Sequence, residues 1–275
     1  MTSPAAVKQH DNVSALRPNL QAHVGLSRIT KRFSSKTGDV TALDGIDLNV
    51  RHEEFVSLLG PSGCGKSTLL MIASGLMAPT TGEVRIDGLR LAGAANDLGI
   101  VFQQDLLFDW RTVLQNVMLP AEVRRLDLQA AEKRALQLLA KTGLGGFEHR
   151  RPWELSGGMR QRVSICRALV HNAKLLLMDE PFGALDSLTR DQMALDLQRI
   201  WLSERRTVMF VTHNIAEAVF LSDRIVVMSP RPGKIVAEFE IDLPRPRSLD
   251  IYDSPQFSFY QRQIRETMAK LKVLE

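Results

Sequence analysis

The chain has 275 residues, 44% of them hydrophobic and 24% charged, which supplies one large core with short tails and excludes wholesale disorder. Its net charge of +4 comes from 35 basic residues spread along the chain and largely balanced by 31 acids. With no basic block or stacking motif among them, no nucleic-acid partner is expected. Two cysteines, Cys64 and Cys166, show neither a disulfide framework nor a zinc spacing, so a reducing compartment is the simplest reading.

Residues 1–23 read as a polar leader, expected to be disordered, and lack the apolar stretch of a signal peptide. From about Val24 apolar residues alternate in GLSRITKRF and again in IDLNV, as in strands with one buried face. EFVSLL, residues 54–59, is a buried strand that stops at a glycine, and a helix is expected from Ser67. EVRIDG from Glu83 and LGIVFQ ending at Gln103 are further strands. Residues 104–167 read as a helical insertion, with apolar positions at three- and four-residue intervals over residues 127–142. The strand pattern returns at residues 174–179, 206–212 and 224–229, separated by helical segments, which predicts a parallel sheet covered on both faces. The resulting division is leader, a domain over 24–243, and a linker with PRPR and a final amphipathic helix over 244–275, the helix at about 254–271. That helix packs on its own domain or contacts a partner. No run of about 18 apolar residues occurs, so no membrane-spanning helix is expected.

Three motifs carry chemistry. GPSGCGKST, residues 60–68, fits the phosphate-loop pattern between a strand and a helix. Gly60, Gly63 and Gly65 would let backbone N–H groups approach phosphates, Pro61, Ser62, Cys64 and Thr68 complete the cradle, Lys66 would reach the β- and γ-phosphates, and Ser67 would offer a hydroxyl to magnesium. Cys64 reads as a small filler. LLLMDEP, residues 175–181, ends an apolar strand in two carboxylates: Asp179 would face the magnesium and Glu180 the attacking water, as general base. In LSGGMRQR, residues 155–162, Ser156 can cap a helix while Gly157 and Gly158 leave backbone N–H groups exposed as a second phosphate-binding surface.

In this order the three motifs resemble the ATP-binding cassette of ABC proteins, over about residues 24–242. The resemblance implies an α/β P-loop NTPase fold: a mostly parallel core sheet, an antiparallel β subdomain and an inserted α-helical subdomain. It further implies a head-to-tail homodimer of cassettes that sandwiches two ATP molecules, with Ser156, Gly157 and Gly158 completing the site of the opposite subunit. Gln103 matches the family's glutamine for magnesium and water, Asp186 its cross-dimer loop, and His213 its γ-phosphate histidine. Phe33 is the candidate for stacking on adenine. Two departures are visible: His52, Glu53 and Glu54 stand where a glycine-glutamate turn is frequent, and Asn214 follows His213 in place of aspartate.

Within the family, DLLFDWRTVLQNV, the block DEPFGALDSLTRDQM and the PRPR tail resemble ATPases of nitrate, sulfonate and taurine importers. The resemblance then implies ATP hydrolysis coupled to transport, two integral-membrane permease subunits, a substrate-binding protein acting indirectly, and a place at the cytoplasmic face of the cell membrane. Three rivals stand beside it. A DNA- or ribosome-directed ABC protein would usually bring a coiled-coil insertion or a second cassette, a nucleotide kinase leaves LSGGMRQR unexplained, and a non-hydrolysing regulatory cassette conflicts with the complete set Lys66, Asp179, Glu180 and His213.

Overall fold

The computed structural model describes residues 8–9, 22–35, 38–95 and 97–271. The chain divides into two compact units, Met1–Asn96 with Thr207–Glu275, and Asp97–Arg206. Of the expected leader, residues 1–7 and 10–21 lie outside the described residues, while Lys8–Gln9 forms a short strand, β1.

In the first unit, β2 (Ala22–Ser35) and β3 (Gly38–Arg51) form a long antiparallel hairpin, flanked by β5 (Thr81–Ile86) and β6 (Leu89–Arg90) in the order β3-β2-β5-β6. Ile46, Leu48 and Val50 are buried at alternate positions of β3, the period that the sequence shows. On β2 the alternation resets between Leu26 and Ile29, where a bulge puts Arg28 at φ 47°.

The second sheet of this unit has β4 (Phe55–Leu59) between β9 (Thr207–Thr212) and β10 (Arg224–Met228), all three parallel and buried at every residue. Strands buried on both faces need no polar alternation, hence the continuous apolar runs. Beyond β10, β11 (Ile235–Glu240) runs antiparallel and pairs in turn with β1. The helices here are α1 (Lys66–Ala73), α6 (Ile215–Leu221) and α7 (Pro255–Lys270). Ser254 caps α7, which buries Phe257, Tyr260, Ile264 and Met268 and packs on α6, the first of the two outcomes open from sequence.

The second unit pairs β7 (Leu98–Val101) in parallel with β8 (Leu175–Asp179) and carries α2 (Val113–Val123), α3 (Leu128–Lys141), α4 (Gly157–Leu169) and α5 (Ser187–Ser203). Each helix starts at a side chain that accepts a hydrogen bond from its first turn: Thr112 within a capping box with Gln115, then Asp127, Ser156 and Asp186. None of the described helices is long and apolar enough to cross a membrane.

Candidate functional site

β4 delivers the phosphate loop. Leu59 pairs in register with Thr212 of β9, so Gly60 and His213 leave adjacent parallel strands at the same edge, the edge where open α/β sheets bind ligands. Gly65 is the N-cap of α1 at φ 105° and has no side chain with which to cap. The first N–H groups of that helix are therefore suited to an external anion. Lys66 is buried, and its Nζ donates to the carbonyls of Gly60 and Pro61, 2.9 Å each. Held that way, the ammonium lies over the loop itself. Ser62, Gly63 and Ser67 are exposed along the loop, with Pro61 and Thr68 half-buried.

The glycines have packing reasons as well as ligand reasons. A Cβ on Gly65 would come within 2.6 Å of Leu43 Cδ2, and one on Gly60 within 2.9 Å of the Met228 carbonyl. Cys64 is buried behind the loop, where burial pushes its thiol pKa up against the opposing pull of Lys66, as fits a filler.

His213 is exposed on a turn that is fixed on both sides. Asn214 accepts hydrogen bonds from the amides of Ala216 (2.8 Å) and Glu217 (3.2 Å), and Thr212 Oγ1 donates to Glu217 Oε2 at 2.6 Å. Asparagine thus makes the cap that an aspartate would make. Phe33, on β2, is 42% exposed with Lys31 Nζ 5.2 Å above its ring, so an aromatic face is accessible there.

In the second unit, Val101 of β7 pairs with Met178 of β8, so the segments holding Gln103 and the Asp179–Glu180 pair also leave at one edge. Glu180 adopts φ 43°, a left-handed conformation unusual for a residue with a side chain. A Cβ placed on Gly183 would sit 3.6 Å from Glu180 Oε2 and 3.8 Å from Gln103 Nε2, which puts both side chains beside this glycine. Ser156 caps α4 through the Met159 amide at 3.3 Å. Gly157 is exposed with space around it, whereas a Cβ on Gly158 would meet Thr189 Cγ2 of α5 at 2.8 Å. One signature glycine is thus open to an approaching ligand and the other is required by helix packing. Asp186 caps α5, and hydrogen bonds from the Thr189 amide and hydroxyl hold its carboxyl below the usual carboxylate range.

Three sets of contacts escaped the sequence reading. Arg231 donates from Nε (3.2 Å) and Nη2 (3.1 Å) to the Gly63 carbonyl. Gly233 in the same turn exchanges hydrogen bonds with the β3 side, its N–H to Ala42 and its carbonyl from Asp44, and leaves no room for a Cβ against the Cys64 carbonyl. The only local signal was the proline- and glycine-rich turn SPRPG after an apolar strand. Third, Arg160 and Arg167 of α4 bind the segment after Gln103, through the Asp105 carboxylate (2.9 Å) and the carbonyls of Asp105 and Leu106 (2.7 Å each). A cleft of about 410 Å³ lined by Gln103, Asp105, Leu106, Gly157, Arg160 and Leu185 lies there.

A model of the ABC transporter family matches residues 43–183, more than half of the chain and both the phosphate loop and the carboxylate strand. The chain belongs to the ABC transporter family. Curated relatives of this cassette include an ABC transporter ATP-binding protein of Methanocaldococcus jannaschii, 43% identical over 93% of this chain and 95% of the relative. The taurine import ATP-binding protein TauB of Rhizobium johnstonii is 45% identical over 85% and 91%, and the aliphatic sulfonates import ATP-binding protein SsuB of Bacillus cereus is 44% identical over 82% and 88%. Among solved structures, a dimeric bacterial ABC transporter cassette matches with a TM-score of 0.71 and 35% identity over 80% of this chain and 100% of that one. The same match is found with a dimeric post-hydrolysis state of that cassette bound to ADP and Pi. The expected α/β P-loop cassette is therefore the fold, and this cassette is an ATP-binding ATPase.

Proposed function

We propose that this cassette is the ATP-hydrolysing subunit of an importer for a small anion of the taurine, sulfonate or nitrate kind, acting as a homodimer. The names of the relatives at 44–45% identity support the transport class, and the dimeric cassette at TM-score 0.71 supports the assembly. Two permease subunits in the membrane, and through them a substrate-binding protein, would hold it peripherally at the cytoplasmic face of the cell membrane.

The observation that carries the catalytic part is Glu180, held in a left-handed turn at the end of β8 with its carboxylate beside the same glycine as the Gln103 amide. The first unit binds: the loop amides of residues 60–68 and Lys66 hold the phosphates, Phe33 covers the base, and His213 contacts the γ-phosphate. The second unit acts on water: Glu180 accepts its proton and Gln103 orients it. Ser67 of the first unit offers a hydroxyl oxygen, and Gln103 and Asp179 of the second offer amide and carboxylate oxygens, each a donor of the kind magnesium takes. Magnesium, when bound, supplies charge neutralisation on the phosphate oxygens. Ser156 and Gly157, exposed at the start of α4, are the groups proposed to face the partner's nucleotide, with Gly158 fixing their helix against α5 and Asp186 holding the start of α5.

Glu180→Gln tests this directly. Nucleotide affinity should survive while turnover falls by about 10²–10⁴-fold, the usual worth of a positioned acid or base. A variant with normal turnover would remove Glu180 from the role of base.

A further inference from the structure

In the first unit, three side chains with metal-binding chemistry meet from three separate segments: His23 near the start of β2, His52 after β3 and Asp87 after β5. One donor atom from each lies within 4.8 Å of the others. His52 Nε2 is 2.9 Å from Asp87 Oδ1, and the His52 ring stacks on His23 with 4.4 Å between centroids. Backbone bonds hold the segments in place, with the Asp87 amide donating to the His23 carbonyl at 2.9 Å and Ala22 paired with Arg51.

Thr207 anchors the His23 ring. Its hydroxyl lies 3.3 Å from the Arg51 carbonyl and accepts from the Glu53 amide at 3.0 Å. His23 Nδ1 lies 2.6 Å from the same oxygen. A ring nitrogen hydrogen-bonded to a fixed oxygen is the arrangement that orients metal-binding histidines. His23 is buried, while the His52 and Asp87 side chains are 55% and 48% exposed, so one fixed ligand stands behind two that solvent reaches.

We propose that His23, His52 and Asp87 bind one divalent transition-metal ion of the zinc class, separate from the magnesium of the nucleotide site. Two imidazoles and a carboxylate suit zinc, cobalt or nickel, whereas magnesium and calcium take oxygen ligands. The lone pairs of parallel rings do not converge. Binding therefore requires the exposed His52 to turn off the stack and exchange its 2.9 Å contact with Asp87 for the metal, with water as the fourth ligand. Coordination needs unprotonated imidazoles, so protons compete with the ion and affinity falls at acidic pH. The ion would tie the antiparallel sheet to the turn before β4, the strand that enters the phosphate loop.

Zinc titration of the full chain, freed of any polyhistidine tag and saturated with MgADP, tests the site by calorimetry, with metal content measured after gel filtration. One tight equivalent is expected at pH 7.5, lost at pH 5.5 and not displaced by magnesium. His52→Ala and Asp87→Asn, both at exposed side chains, should each weaken it by about tenfold or more, in the range of a lost ligand or its orienting partner. Zinc should raise the thermal midpoint of the wild type and leave that of His52→Ala unmoved. Absence of a tight equivalent in the wild type, or equal affinity in the wild type and both variants, overturns the proposal.

Discussion

Arg224 and Glu54 form a buried two-point ion pair at the root of β4, with Nε 2.9 Å from Oε1 and Nη2 3.1 Å from Oε2. Glu54 also accepts from the Arg51 amide and guanidinium at 2.7 Å each, and Arg224 reaches Glu238 at 2.6 Å. Burial works to raise the Glu54 pKa, but the two guanidiniums prevail and hold it below the usual carboxylate range. A depressed folded-state pKa contributes stability that is complete above the unfolded value and lost as pH falls through the folded one. Urea denaturation should therefore show stability dropping below the ordinary carboxylate pKa of 4.5. Glu54→Gln should flatten that acid limb and cost about 3 kcal/mol at pH 7, since it leaves Arg224 buried with fewer acceptors. An unchanged acid limb would show that other carboxylates dominate it.

Glu53 precedes this residue at φ 58°, the conformation a glycine takes freely. The sequence departs from the family's frequent turn here, and the backbone keeps the left-handed geometry with a side chain in it. A non-glycine residue there costs about 1 kcal/mol or more. Glu53→Gly should consequently raise stability by up to about 1 kcal/mol, after the greater chain entropy of glycine is set against the relieved strain. A loss of stability in a denaturant titration would mean that the Glu53 side chain compensates for its backbone.

Arg247, in the PRPR segment, is buried and closes the end of α6. Its Nη1 donates to the carbonyls of Val219, Phe220 and Ser222 at 2.8–2.9 Å, and its Nη2 to Leu243 at 3.1 Å. Burial pushes its pKa down to about 9, and the carbonyls at the negative end of the helix offset that cost. Arg247→Ala should destabilise the protein by roughly 2–3 kcal/mol through unsatisfied buried carbonyls. Arg247→Lys should recover part of this, because one ammonium cannot span four acceptors. Equal stability of all three proteins in urea would contradict the capping role.

Both thiols are buried, and burial pushes Cys166 up to about 12 while raising Cys64 as well. The thiolate is the reactive form. Neither cysteine should react with iodoacetamide in native protein at pH 8, and both should react once it is unfolded. Rapid native labelling of Cys64 would show that the phosphate loop opens.

The legible part of this molecule lies where a few neighbouring residues settle the outcome. Asp127, Ser156 and Ser254 start their helices by bonding amides two or three residues on, and the expected helices at 127–142 and 254–271 match α3 and α7 with their caps. The strands β4, β8, β9 and β10 follow from apolar runs that only a doubly covered sheet can bury. By contrast, β11 carries a mixed burial pattern, and its place is set by pairing with β10 and β1.

Order and spacing of GPSGCGKST, LSGGMRQR and LLLMDEP by themselves determined the family and the fold, because phosphate chemistry demands glycine, lysine and carboxylate within short, rigid windows. Tertiary structure alone decided that Arg231 supports Gly63, that Glu54 pairs with Arg224 across 170 positions, and that His23, His52 and Asp87 meet. Such contacts join residues far apart in the chain and leave no period, cap or spacing in it; only the packing of one segment on another creates them.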